Sequence, residues 1–251
     1  MKTAFITGAT SGFGRAIAFR FAGLGYNLVV TGRREERLNE LINQLHTDFK
    51  VEILPLCFDI RDNEACINAF HSLPEYFQHI DILVNNAGLA AGASPFQDSD
   101  LADYEQMIDT NVKGLLYITK LIVPGMIERQ SGHIVNISSI AGIEVYPNGS
   151  VYCASKHAVN AITKGLRIDL IKHGIKVSSV SPGMAETEFS IVRYHGDEDK
   201  AKAVYAGLTP LNAEDIADAV EFIVTRPEHV SVNDIQINPK QQANTYIAHR
   251  E

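Results

Sequence analysis

The stretch Thr3-Ala4-Phe5-Ile6-Thr7-Gly8-Ala9-Thr10-Ser11-Gly12-Phe13-Gly14 decides the fold class. Thr3 to Thr7 is a short apolar run of the kind that makes a buried strand. A turn with three glycines follows at once, and Phe13 to Leu24 reads as a helix with Ile17, Phe21 and Leu24 on one side. Such a turn suits a phosphate: Gly8 permits the bend, Gly12 lets the main chain approach a pyrophosphate, and Gly14 lets helix and strand pack closely. The helix start, with Thr10, Ser11 and Phe13 in the turn, offers free N–H groups and the positive end of a helix dipole. A Gly-rich βα turn without a ligand is the plain alternative, so the rest of the chain must decide.

Outward from that turn the same rhythm repeats. Strands are expected at Leu28–Thr31, Val51–Phe58, Ile82–Val84, Ile134–Ile137, Val177–Val180 and Ile235–Ile237. Helices are expected at Glu35–Leu45, from about Arg61 through Asn68, and at Tyr104–Arg129, Tyr152–Lys172 and Ala213–Val224. Alternation of this kind means βαβ units. The expected fold is therefore α/β: a single-domain, Rossmann-type, doubly wound parallel sheet of about seven strands with helices on both faces. The least regular stretch, 184–211, is bounded by Pro182 and Pro210 and reads as a substrate-side insert or lid.

Length and composition agree. A chain of 251 residues, 45% hydrophobic, fits one compact domain, so 1–251 is expected to be a single dinucleotide-binding and catalytic unit. The net charge of −8 argues against nucleic acid. No apolar stretch is long enough for a bilayer, and the N-terminus lacks the order of a signal peptide. Cys57, Cys66 and Cys153 form no CxxC and the nine histidines no HExxH, so neither a disulfide framework nor a metal site is expected. A cytoplasmic location without membrane contact follows as an expectation.

The end of the second strand bears on the cofactor. NAD sites usually carry an acidic residue there for the ribose 2′-hydroxyl, whereas NADP calls for a cation. Here stand Gly32-Arg33-Arg34, two guanidinium groups suited to a 2′-phosphate. The bland reading pairs both arginines with Glu35 and Glu36. Asp59, ending the third strand, is placed for the adenine amino group, or else caps the following helix.

The chemistry is expected from Tyr152-Cys153-Ala154-Ser155-Lys156. Spacing i, i+4 puts Tyr152 and Lys156 on one helical face. A nearby ammonium lowers a phenol's pKa from its usual value of about 10, so the pair can exchange a proton with an alcohol or carbonyl. Ser139, thirteen residues upstream, can hold the substrate oxygen. Asn111 can anchor a water that links Lys156 to solvent. Each feature alone has an ordinary structural reading; their coincidence at the carboxyl edge of one sheet is the informative point.

With these motifs in hand, the sequence resembles the short-chain dehydrogenase/reductase family over nearly its whole length. The matching motifs are Thr7–Gly14, Asn85-Asn86-Ala87-Gly88, Asn111 in DTNVKG, the NISS run ending in Ser139, Tyr152–Lys156, and Pro182-Gly183. The resemblance implies a tetrad of Asn111, Ser139, Tyr152 and Lys156. It implies that Asn85, Ala87 and Gly88 line the adenosine side, that Lys156 bonds the nicotinamide ribose, and that Pro182, Gly183 and Thr187 flank the nicotinamide. It also implies a homotetramer. TGRREERL, MIDTNVKGL and TEFSIVRYHGD further resemble the NADP-dependent 3-hydroxy acid dehydrogenases, which act on serine, allo-threonine and 3-hydroxypropionate-like substrates. Departures fall at 143–150, at 184–186 and after Ile237. Substrate candidates are Ser139, Phe189 and Arg193, the last as cation for a carboxylate. Two alternatives stay open. One is the same chemistry on an acyl thioester, sugar or steroid, although the Gly-Gly pair of acyl-carrier reductases is missing. The other is a non-catalytic, dinucleotide-sensing protein.

Overall fold

The structure, a computed structural model, describes residues 1–251. Its centre is a seven-stranded, wholly parallel sheet in the order β3-β2-β1-β4-β5-β6-β7. The strands are β1 (Thr3–Ile6), β2 (Asn27–Gly32), β3 (Ile53–Cys57), β4 (Ile82–Asn85), β5 (Gly132–Ile137), β6 (Ile175–Pro182) and β7 (Asp234–Ile237). The helices are α1 (Gly12–Gly23), α2 (Glu35–Asp48), α3 (Asn63–His71), α4 (Leu101–Ile108), α5 (Leu115–Arg129), α6 (Ser150–Leu170), α7 (Phe189–Arg193), α8 (Glu198–Ala203) and α9 (Ala213–Val224).

Strand alternation builds the two faces. Ala4, Ile6, Leu28 and Val30 point to one side, where Ile17 and Phe21 of α1, Leu41 of α2 and Val220 of α9 cover them. Phe5, Val29, Leu83 and Ile134 point to the other, against Cys66 of α3 and Ile118 and Met126 of α5. Because both faces are buried, the strands read as continuous apolar runs. The chain winds outward from β1 to β3, then returns to β4 beside β1. The order therefore reverses between β1 and β4, and the crevice at their carboxyl ends is where such sheets bind ligands.

Several expected boundaries shift. The region foreseen as one helix over Tyr104–Arg129 is three pieces: α4, capped by Asp100 at the Ala102 N–H; a widened π-type turn at Asp109–Gly114; and α5, with Pro124 inside it. The widening brings Thr110 and Asn111 into the interior. The segment 184–211 is not wholly irregular, since it contains α7 and α8. The third strand is shorter than Val51–Phe58, beginning at Ile53 and ending at Cys57.

Candidate active site

A cavity of about 630 Å³ opens at the carboxyl edge of the sheet, walled by the segments that follow the strands. The glycine turn forms its floor. Gly8 has φ +66°, a conformation that glycine adopts without strain. A Cβ on Gly14 would land on the Gly8 carbonyl, so this glycine allows α1 to start directly behind β1. Ser11, the N-cap of α1, makes no side-chain capping bond. The first N–H groups of a twelve-residue helix thus face the cavity without a side-chain cap, and a pyrophosphate fits them.

Arg33 and Arg34 both line the cavity, but their partners differ from those expected. Neither pairs with Glu35 or Glu36. Arg33 lies 3.6 Å from Asp59, and Arg34 Nη1 donates to Glu188 Oε2 at 2.9 Å. Arg34 Nη2 donates to the hydroxyls of Thr10 (3.1 Å) and Ser11 (2.9 Å). Asp59 also lines the cavity and is gripped by Arg61, with Nη2 at 2.6 Å. Burial raises its carboxyl pKa, but the Arg61 bonds and the Arg33 charge outweigh that and hold it below the usual range. The N-cap of α3 is not Asp59 but Asp62, which accepts from the Glu64 and Ala65 N–H groups.

The NNAG stretch needs one correction. Asn85, expected on the adenosine wall, turns into the core, where its amide donates to Thr119 Oγ1 and Asn136 Oδ1, each at 2.9 Å. Asn86, Ala87 and Gly88 form the wall instead. Asn86 bonds the carbonyls of Thr7 (2.9 Å) and Gly8 (3.0 Å), bracing the glycine turn; the sequence reading missed it.

Ser139, Tyr152 and Phe189 meet in the cavity, with Pro182, Gly183 and Thr187 beside them. Ser139 also caps a short turn by accepting from the Ala141 N–H at 3.1 Å. Lys156 lies behind the wall: its ammonium donates to the Ile137 carbonyl at 3.0 Å, and burial lowers its pKa to about 8. Burial raises the Tyr152 phenol, and Tyr146 adds to this; Ser139 and then Arg193 pull it down. The Lys156 ammonium, expected to help the phenol, is directed at the Ile137 carbonyl. Asn111 stands behind the wall too. Its side chain accepts from the Leu89 N–H (2.8 Å) and donates to the Leu89 carbonyl (2.8 Å) and Ser155 Oγ (3.0 Å). Both amide hydrogens are thus committed.

Arg193 enters the site fully. It donates to the Tyr146 hydroxyl (3.0 Å) and the Gly92 carbonyl (3.2 Å), and its guanidinium lies 6.0 Å from the Tyr152 ring centre. No carboxylate pairs with it: Glu188 is taken by Arg34 and Arg37, and Asp197 by Lys200. Phe189 packs edge-on to Tyr152 at 5.6 Å.

Residues 2–198 match the family described as short chain dehydrogenase. The chain belongs to that family. Among relatives of this dehydrogenase, the sulfoacetaldehyde reductase 2 of Chromohalobacter salexigens is 49% identical over 95% of this chain and 94% of its own length. The NADP-dependent 3-hydroxy acid dehydrogenase YdfG of Salmonella typhi is 44% identical over 95% of each. A solved structure described as the closed form of serine dehydrogenase complexed with NADP+ is 41% identical with a TM-score of 0.93, covering 99% of this chain and 100% of that one. No helix of this dehydrogenase is long and apolar enough to cross a membrane. Besides Asn86, the sequence reading missed Tyr146, Gln242 and Thr245 on the substrate wall. They lie in two of the three departing segments, 143–150 and the stretch after Ile237, where no periodicity marks them.

Proposed function

We propose that this dehydrogenase uses NADP(H) to interconvert a small 3-hydroxy acid and its carbonyl form, with serine, allo-threonine or 3-hydroxypropionate as the substrate type. The observation that carries the reading is Arg193, a guanidinium with no carboxylate partner beside the phenol of Tyr152. A carboxylate held by Arg193 and the Tyr146 hydroxyl sets a hydroxyl two carbons away near Tyr152 and Ser139. The names of the relatives support the cofactor and the substrate class.

When bound, NADP supplies or accepts the hydride at its nicotinamide. Tyr152 gives a proton to the carbonyl oxygen in reduction and takes it back in oxidation, while Ser139 steadies that oxygen. Lys156 would pass the proton to or from solvent through a water anchored at Asn111. The pyrophosphate belongs to the start of α1 and the Thr10–Phe13 turn, the 2′-phosphate to Arg33 and Arg34, and the adenine to Asp59. Ala87 and Gly88 flank the adenosine, and Pro182, Gly183 and Thr187 the nicotinamide. Residues 184–211 serve as the lid of one catalytic domain in a cytoplasmic homotetramer. The exposed Leu116, Ile168 and Ile171 offer apolar area for such contacts.

A second reading replaces the carboxylate by a sulfonate. It is favoured by the 49% identity to a sulfoacetaldehyde reductase, and Arg193 suits either anion. The deciding experiment follows NADPH absorbance with a panel: serine, allo-threonine and 3-hydroxypropionate with NADP+, and sulfoacetaldehyde with NADPH. A kcat/KM for a hydroxy acid well above that for sulfoacetaldehyde supports the first reading. The reverse order selects the second, and turnover of only uncharged carbonyls discards both.

A further inference from the structure

The segment after β6 crosses the mouth of the cavity and is tied down on two sides. On the cofactor side, Glu188 Oε2 meets Arg34 Nη1 at 2.9 Å, and Oε1 pairs with Arg37. Arg34 in turn sits on the hydroxyls of Thr10 and Ser11. One carboxylate therefore bridges the segment after β6 to the glycine turn and to α2. On the substrate side the same segment continues as α7, whose last residue is Arg193. The Gly92 N–H donates to the Arg193 carbonyl at 2.9 Å, and the Arg193 guanidinium returns a bond to the Gly92 carbonyl. Glu188 and Arg193 are thus the two ends of one short rigid piece. Arg37 is as exposed as Arg34 but sits within α2 and lines no part of the cavity.

We propose that Glu188 and Arg37 form a strap that holds α7 closed over a bound dinucleotide, Arg37 being a positioning residue for a reaction it never touches. This rests on reading the cavity as the dinucleotide site. An ion pair of this exposure suits such a task, since it biases closure yet opens readily. Burial raises the Glu188 pKa, but the bonds from Arg37 and Arg34 prevail and keep the carboxyl ionised around neutrality. The strap therefore responds to salt and not to pH near 7. Loss of Glu188 leaves Arg34 on Thr10 and Ser11, so the phosphate side stays assembled and closure alone is weakened.

The test is the release rate of NADPH from the binary complex, followed by stopped-flow fluorescence without substrate. Arg37→Gln is expected to speed release about two- to fivefold, from the usual size of one exposed ion pair. Glu188→Gln, which loses both pairs, should exceed it, and the double variant should be no faster than Glu188→Gln alone. Arg37→Lys should restore most of the wild-type rate. Raising the salt should speed release more in the wild type than in Glu188→Gln, where only the phosphate contacts remain to be screened. The KM for the hydroxy acid should rise in Arg37→Gln, because α7 carries Arg193. Wild-type release in Arg37→Gln, or effects that multiply in the double variant, would overturn the strap alone. Failure of the wild type to bind any dinucleotide would overturn the cofactor reading and the strap together. NADPH binding without hydroxy-acid turnover would remove only the substrate assignment.

Discussion

Replacing Arg193 by Ala removes two separable effects, and their sizes follow from where the guanidinium lies. The first is the anion anchor. Nε is committed to the Gly92 carbonyl and one Nη1 hydrogen to Tyr146, which leaves Nη2 and the other Nη1 hydrogen for a substrate carboxylate. A hydrogen bond to a charged group contributes about 1.5–3 kcal/mol. Two such bonds, discounted for water entering the emptied site, amount to about 3 kcal/mol, or roughly 150-fold in kcat/KM. The second effect is on the phenol. At 6.0 Å from the Tyr152 ring, a unit charge stabilises a phenolate by about 0.7 kcal/mol in bulk water and about 2.8 kcal/mol near a protein surface. About 1 kcal/mol, or fivefold, is the expected cost to any substrate. Arg193→Ala should thus lose roughly 750-fold in kcat/KM on a hydroxy acid, and only about fivefold on a neutral alcohol of similar size. KM for NADP should stay unchanged. The assay is NADPH formation with both substrates. Equal losses on acid and alcohol would show that no anion is held there, and undiminished activity on the acid would remove Arg193 from the site.

Tyr152→Phe keeps the ring and removes the proton carrier, so turnover should fall by about 10²–10⁴-fold while NADPH fluorescence titration still shows binding. Arg33→Ala with Arg34→Ala should weaken NADP by about 3 kcal/mol or more and NAD far less; equal losses in calorimetric titrations would assign both arginines to the fold. His133 gives an acid limit to stability, because burial, with Lys176 and Lys2, pushes its pKa down to about 3. The unfolded chain binds that proton near pH 6.5, so the stability present above pH 6.5 is lost as pH falls toward 3. The loss is up to about 1.4 kcal/mol per unit. Urea midpoints at pH 7 and 5 should lie closer together in His133→Gln than in the wild type; an identical acid loss in both would acquit this histidine.

The sheet was legible because its central strands are buried on both faces and the long helices repeat an apolar stripe, as Leu38, Leu41 and Leu45 do in α2. The glycine turn and the Tyr152/Lys156 pair were legible because their spacing is local. What was hidden depends on distance or on register. Arg34 and Glu188 are 154 positions apart, and nothing local in either predicts the other. Asn85 and Asn86 differ by one step along the chain: the first ends β4 and turns inward, and the second turns to the cavity. The widening at Asp109–Gly114 leaves the apolar period nearly intact, so one helix was the natural reading. Five-residue α7 is too short for any period to show.

The cavity wall around Tyr152 is contributed by three tracts far apart in sequence: Tyr146 after β5, Phe189 and Arg193 after β6, and Gln242 with Thr245 after β7. They are cross-tied by side chains, as where Thr245 bonds Glu144 or the Met184 N–H meets Gln242, and none belongs to the strand ladder. Lengthening or rewriting one tract therefore disturbs no strand pairing, but it is felt by the other two through these side-chain bonds. Selection for a new substrate acts on three coupled tracts set on a fixed sheet. A chimera that exchanges one tract with the sulfoacetaldehyde reductase relative is the economical way to learn which tract sets which preference.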